Sequence, residues 1–263
     1  MSDLLSGKVA VITGGGRGLG RVVAEGLALR GVNVAVAARS DDQVAETVQT
    51  IAQSDGKALG LAVDVSCPQD VERLRETVLA RFGPPAILIN AAGIFGPIQL
   101  IRDSDVERWV ETVRTNAIGP YLTCRAFVND MIAGGWGRII NFSSAATLHP
   151  PGPLNSAYGT SKAALNQFTR HLAAEVAGTG VTANVIHPGE VKTAMWAAIS
   201  REAATAEGAE GYRQWAANVG EHGGDDPQKT VDLILSVIDG PLAAANGQFL
   251  WIDGGQQSPI ASW

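Results

Sequence analysis

The sequence predicts an α/β protein with a parallel sheet covered by helices on both faces. Short apolar, β-branched runs alternate along the chain with segments of helical spacing. The runs are apolar almost without interruption, as strands buried on both faces are. No Pro/Ser-rich linker, composition break or internal repeat divides the 263 residues, so residues 1–263 read as a single domain.

Each element has its own signal. Lys8–Thr13 (KVAVIT) is a first apolar run stopped by glycines, and Gly18–Gly31 follows as a helix carrying Val22, Val23, Leu27 and Leu29. Val32–Ala38 is a second strand, and Asp41–Gln53 has helical spacing. Lys57–Val63 is the third run; Gln69–Phe82 is the third helix, entered through Pro68 near its first turn. Ala86–Asn90 is the fourth run, and one long helical stretch is expected from about Ser104 to Ile132. Arg138–Phe142, Val181–Ile186 and Gln248–Ile252 complete the strands; Ser156–Val176 and Pro227–Ile238 complete the main helices.

Composition narrows the function. Hydrophobic residues make up 46% and charged residues 17%, which excludes a disordered chain. A formal net charge of −6 argues against a nucleic-acid partner held through its phosphates. It fits a cytoplasmic enzyme that meets a small molecule in a local pocket. Cys67 and Cys124 form no CxxC pair, and the four histidines show no metal-ligand spacing, so neither a disulfide framework nor a metal site is expected. Met1–Lys8 lacks the basic start of a signal peptide, and no apolar run is long enough to span a membrane.

The first strand runs into Thr13-Gly14-Gly15-Gly16-Arg17-Gly18-Leu19-Gly20 and then a helix. Glycines at a strand-to-helix turn let backbone N–H groups approach a phosphate, and the helix N-terminus adds partial positive charge. The spacing satisfies G-x-G-x-x-G at no offset and lacks a P-loop lysine.

This turn, Asn90-Ala91-Ala92-Gly93 after the fourth strand, and Tyr158-x-x-x-Lys162 at a helix start together resemble the short-chain dehydrogenase/reductase family. Pro188-Gly189-x-x-x-Thr193 and the closing Asp253-Gly254-Gly255 follow in the family order, so the resemblance runs from about Lys8 to Gly255. It implies a Rossmann-like, doubly wound, seven-stranded sheet and a nicotinamide cofactor. It further implies that Asp64 and Val65 meet the adenine, that Asn90 steadies the sheet, and that Gly93 lets the cofactor approach. Pro188, Val191 and Thr193 would meet the nicotinamide. The other reading of Asp64 is a turn aspartate that caps the next helix.

Cofactor choice has a local argument. Dinucleotide folds place an acid at the end of the second strand, on the adenosine ribose. Here that position is Ala38, followed by Arg39. Without a carboxylate there, Arg39 and Arg17 are free to bind a 2′-phosphate, which predicts NADP(H) over NAD(H).

Tyr158 and Lys162 are four residues apart and share a helix face. Reducing a ketone needs a hydride on carbon and a proton on oxygen. An ammonium near a phenol favours the phenolate, which predicts a lowered Tyr158 pKa and a general acid/base. By resemblance Lys162 also holds the nicotinamide ribose. The resemblance also implies that Ser144, rather than its neighbour Ser143, would hydrogen-bond the substrate oxygen, and that Asn116 would bend its helix and link Lys162 to solvent through a water.

Residues 194–226 stand where the family has a substrate lid. Helical spacing marks Ala194–Ala206 and Gly211–Val219. The lid's Trp196, Tyr212 and Trp215 either close on an apolar substrate or pack two lid helices together. Trp109, Trp136, Trp251 and Trp263 carry no chemical signal and read as core or interface residues. By analogy the protein is a homo-oligomer, a tetramer or dimer, to which the tail Pro259–Trp263 would contribute. The sequence thus points to an NADP(H)-dependent oxidoreductase of a secondary alcohol and a ketone, such as a 3-oxoacyl thioester. Its rivals are an NAD(H)-dependent alcohol, sugar or steroid dehydrogenase and a non-catalytic dinucleotide-binding regulator.

Overall fold

The computed structural model describes residues 3–257; Trp263 and the tail Pro259–Trp263 lie outside them. The strands are β1 (Val9–Thr13), β2 (Asn33–Ala38), β3 (Ala58–Ala62), β4 (Ile87–Asn90), β5 (Gly137–Phe142), β6 (Val181–His187), β7 (Phe249–Trp251) and β8 (Gly255–Gln257). They form one sheet in the order β3-β2-β1-β4-β5-β6-β7-β8. Seven of them run parallel, as expected. The eighth corrects the expectation: β8 folds back antiparallel on β7, with Trp251 opposite Gly255.

Alternation along each strand divides the core. Ala10 and Ile12 of β1 pack on one face with α1 (Gly18–Ala28), α2 (Asp41–Gln53) and α9 (Pro227–Asp239), through Leu27, Ile51 and Ile234. Val9 and Val11 face α3 (Pro68–Phe82), α5 (Gly119–Ala133) and α6 (Ser156–Glu175), through Leu74, Phe127 and Leu172. Helices on both faces leave the strands no polar side, hence their unbroken apolar runs.

The expected single helix over 104–132 is two. α4 (Val106–Val113) and α5 are joined by one turn of π-helix, Arg114–Ile118. Two residues make this break. Pro120 has no N–H to give the carbonyl of Asn116, and Asn116 turns its amide inward instead of leaving it to the helix surface. It is fully buried. The segment 194–226, expected to be a lid, contains α7 (Ala194–Ala203) and α8 (Glu210–His222).

Chain direction reverses between β1 and β4: from β1 the chain winds outward through β2 and β3, and from β4 the other way through β5 and β6. The helices that follow β1 and β4 therefore diverge, and a crevice opens at the carboxyl ends of the strands.

Candidate active site

A cleft of about 420 Å³ fills that crevice. Thirteen residues singled out from the sequence line it: Gly14, Arg17, Gly18, Leu19, Gly20, Arg39, Asp64, Val65, Gly93, Tyr158, Lys162, Pro188 and Thr193. Two cofactor candidates stand away from its wall. Asn90 is buried in the sheet, where its amide donates to Asn141 Oδ1 at 2.9 Å and accepts from Thr123 Oγ1 at 2.8 Å. Val191 forms a backbone bridge with Gly224.

At one end, α1 begins at Gly18 with no side-chain cap, so its first amides are left to the cleft. Gly14 has φ +68, and a Cβ there would lie 2.6 Å from Ala92 N, so only glycine lets the two strand ends meet. Uncapped amides at a helix N-terminus suit an anion such as a pyrophosphate. Beyond them lie Ala38, Arg39, Ser40 and Gln43. Arg39 is not free: its guanidinium pairs with Glu111 of α4 at 3.1 Å, both half exposed. The Asp64 carboxylate accepts from Ser66 N and Ser66 Oγ at 2.9 and 2.7 Å, so it organises the turn before α3 as well as lining the cleft.

The other end carries the proton chemistry. Tyr158 and Lys162, on the first turns of α6, are almost fully buried. Lys162 donates to Phe142 O at 2.6 Å, and its ammonium lies 5.7 Å from the centre of the Tyr158 ring. Burial pulls Lys162 down to about 8. The phenol corrects the expectation from sequence: burial pushes Tyr158 above its ordinary value, and the Ser144 hydroxyl, not Lys162, opposes the shift. Lys162 keeps its proton at neutral pH, but its ammonium points to Phe142 O, and burial has the larger effect on the phenol. The Ser144 hydroxyl is thus the one that bonds Tyr158, although Ser144 does not line the cleft; Ser143 does line it, with its own hydroxyl donating to Asn166 Oδ1 at 2.5 Å.

Asn116 stands behind Lys162. Its amide accepts from Ile94 N at 2.9 Å and donates to Ile94 O at 2.8 Å and to Ser161 Oγ at 3.0 Å. The loop after Gly93 is therefore locked to α6. A Cβ on Gly93 would lie 3.3 Å from Asn116 Oδ1 and 3.6 Å from Lys162 Nζ.

Residues 8–204 match the family profile described as short chain dehydrogenase. The chain belongs to the short-chain dehydrogenase family. It is 33% identical to carbonyl reductase family member 4 of Danio rerio over 250 residues, 95% of this chain and 98% of the other. Among solved structures it resembles a variant of actinorhodin polyketide ketoreductase with NADPH: TM-score 0.85, 28% identity, 94% and 96% of the two chains covered. NAD⁺-bound xylitol dehydrogenase superposes with a TM-score of 0.86 at 24% identity over 95% and 99% of the chains, a likeness of fold alone. This short-chain dehydrogenase is an oxidoreductase of CH–OH groups built on an NAD(P)-binding fold.

Several residues of this short-chain dehydrogenase carried no signal in the sequence. His187, at the end of β6, accepts the Ala145 N–H on Nδ1 at 3.2 Å and so holds the turn that follows Ser144. Burial lowers its pKa to about 4, which keeps the ring neutral and able to accept. Phe95 lays its ring 4.7 Å from that of Tyr158, tilted by 30°. Leu154, at φ +75, has its side chain buried in an apolar cluster with Ile98 and Ile199, while its carbonyl accepts from Gln99 N at 3.0 Å. Ordinary apolar loop residues announce no chemistry; only the fold puts them beside Tyr158.

Proposed function

We propose that the chain is an NADP(H)-dependent oxidoreductase that interconverts a secondary alcohol and a ketone, a 3-oxoacyl thioester or another small carbonyl compound. One observation carries the reading: a single cleft joins the uncapped amides of α1 to the buried pair Tyr158 and Lys162. Gly14 and Gly18–Gly20 would hold the pyrophosphate, Asp64 and Val65 the adenine side, and Gly93, Pro188 and Thr193 the nicotinamide side. A bound nicotinamide supplies or takes up the hydride.

In reduction, Tyr158 gives its phenolic proton to the carbonyl oxygen as the carbon gains the hydride; in oxidation it takes that proton back. Ser144 hydrogen-bonds the same oxygen. Lys162 would hold the ribose hydroxyls of a bound nicotinamide cofactor, and Asn116 keeps the Gly93–Ile94 loop and α6 in register. Burial opposes ionisation of Tyr158, and the Ser144 hydroxyl acts against that shift.

The test measures NADPH oxidation against ketones, acyl thioesters and sugars, with Tyr158→Phe as the decisive variant. Losing a positioned general acid costs about 10²–10⁴-fold in turnover, with NADPH affinity nearly intact. Turnover retained by Tyr158→Phe removes the proposed proton donor.

The absence of a carboxylate at Ala38, with Arg17 and Arg39 close by, supports NADP(H). The Arg39–Glu111 pair favours the second reading, an NAD(H)-dependent alcohol, sugar or steroid dehydrogenase, because Glu111 spends charge that a 2′-phosphate needs. Glu111→Gln releases Arg39 and is expected to raise the NADPH-to-NADH ratio of kcat/KM severalfold; Arg39→Ala is expected to lower it. Ratios unmoved by either variant would place the choice elsewhere.

A further inference from the structure

The backbone ladder between β5 and β6 stops just before Ser144. Its last rung runs from Ser143 N to Ile186 O at 2.8 Å. Ser144 is still extended, at φ −152 and ψ 144, so the N–H of Ala145 points the same way, toward β6. The next acceptor along β6 would be Pro188 O, but that carbonyl takes the hydroxyl of Thr230 on α9 at 2.8 Å. The side chain of His187 supplies the missing rung, with Nδ1 accepting from Ala145 N at 3.2 Å. A backbone amide can only donate, which assigns the ring proton to Nε2.

Ser144 therefore lies between two amides that are both tied to β6. Its Oγ accepts from Ala146 N at 3.2 Å, which leaves the hydroxyl proton for the Tyr158 oxygen. From the other side α6 holds the same turn: Asn166 donates to Thr147 Oγ1 at 2.9 Å, and Thr147 Oγ1 donates to Ser144 O at 2.8 Å. His187 is buried and stands edge-on to Trp251, with ring centres 4.7 Å apart. The charged and titratable groups that face it are Asp225, Asp253 and His149. Lys229 pairs with both carboxylates, at 3.6 and 2.7 Å, which offsets their pull on a proton. Burial outweighs them and keeps the ring neutral. A proton on Nδ1 would set N–H against N–H and break the rung.

We infer that His187 is a positioning residue of the reaction: its side chain carries the β5–β6 ladder one rung past the end of the backbone pairing and so fixes the turn that aims the Ser144 hydroxyl at the Tyr158 oxygen. It stands outside the cleft wall and acts through Ala145 and Ser144. This rests on the ketone reductase reading above.

Two substitutions at His187 and one at its partner test it, with NADPH and the carbonyl of the panel that turns over fastest. His187→Leu fills the space without an acceptor; His187→Asn restores one, an oxygen bonded to Cγ where Nδ1 was. His187→Leu is expected to lower kcat about tenfold, the worth of one hydrogen bond to a buried group. The Kd for NADPH stays within about twofold, and His187→Asn recovers most of the lost kcat. Ala145→Pro removes the donor instead, and it serves if His187→Leu does not fold. Proline suits the first residue of a helical turn entered from an extended neighbour. Its loss matches that of His187→Leu, and the double variant loses no more than either. Added to Ser144→Ala, His187→Leu changes kcat by less than about twofold. Unchanged kcat in His187→Leu and Ala145→Pro, a His187→Asn as slow as His187→Leu, an equal loss of NADPH binding, or an undiminished effect in Ser144→Ala overturns the role of His187. The reductase reading survives any of these if Tyr158→Phe still abolishes turnover. If the wild type turns over no carbonyl or alcohol with either cofactor, both fall together.

Discussion

Lys162 gives its ammonium one hydrogen bond, to Phe142 O, and is otherwise enclosed. Burial lowers its pKa from 10.5 to about 8. Between those values the unfolded chain holds a proton that the folded chain has released, so this residue makes stability rise with pH. Below about 8 the folded protein carries the buried cation and its desolvation penalty. The melting temperature of wild type relative to Lys162→Met should therefore be lowest near neutral pH and climb as pH rises toward about 10. A difference independent of pH would mean that the ammonium is not penalised. The sequence made the Tyr158–Lys162 pair legible, because four residues on a helix share a face whatever surrounds them. It hid the direction of the phenol's shift, because burial depends on what packs against α6. The resemblance preferred Ser144 to Ser143, but their partners could not be read locally: Asn166 takes the Ser143 hydroxyl, and the Ser144 hydroxyl acts on the Tyr158 phenol.

Among the elements, the π turn at Arg114–Ile118 does most to shape the site. Asn116→Ala removes the amide that satisfies Ile94 N, Ile94 O and Ser161 Oγ. Leaving such buried groups unpaired costs about 1–3 kcal/mol. Urea denaturation should show that loss, and the loosened Gly93 loop should raise the Kd for the cofactor. A variant as stable as wild type would contradict the locking role. The periodicity over 104–132 hid the break, since α4, the π turn and α5 keep one apolar face in rough register; Pro120 and Asn116 were the local clues. β8 was hidden for a different reason. Only three residues long and paired to one neighbour, it has none of the two-sided burial that makes β1, β4 and β5 read as strands.

Across the whole molecule, the order of strands and helices was readable because every central strand is covered twice, and topology then fixes where the cleft must open. Contacts between remote segments were not readable: Arg39 and Glu111 are 72 residues apart, and nothing in either neighbourhood points to the other. Because the cleft draws on α1, β2, β5, α6, α7 and the loops after β1 and β4 at once, a ligand filling it should stabilise all of these together. At about a hundred times Kd, one site adds about 2.7 kcal/mol. NADPH is expected to raise the melting temperature more than NADH at equal concentration. Gly14→Ala should abolish that rise, since its Cβ would press on the Ala92 backbone. Leu154 shows the same economy on a smaller scale. A leucine in the left-handed region costs about 1–2 kcal/mol that glycine would not. A glycine there would relieve that strain but forfeit the apolar side chain that ties the loop to Ile98 and Ile199, trading backbone ease for a looser seam.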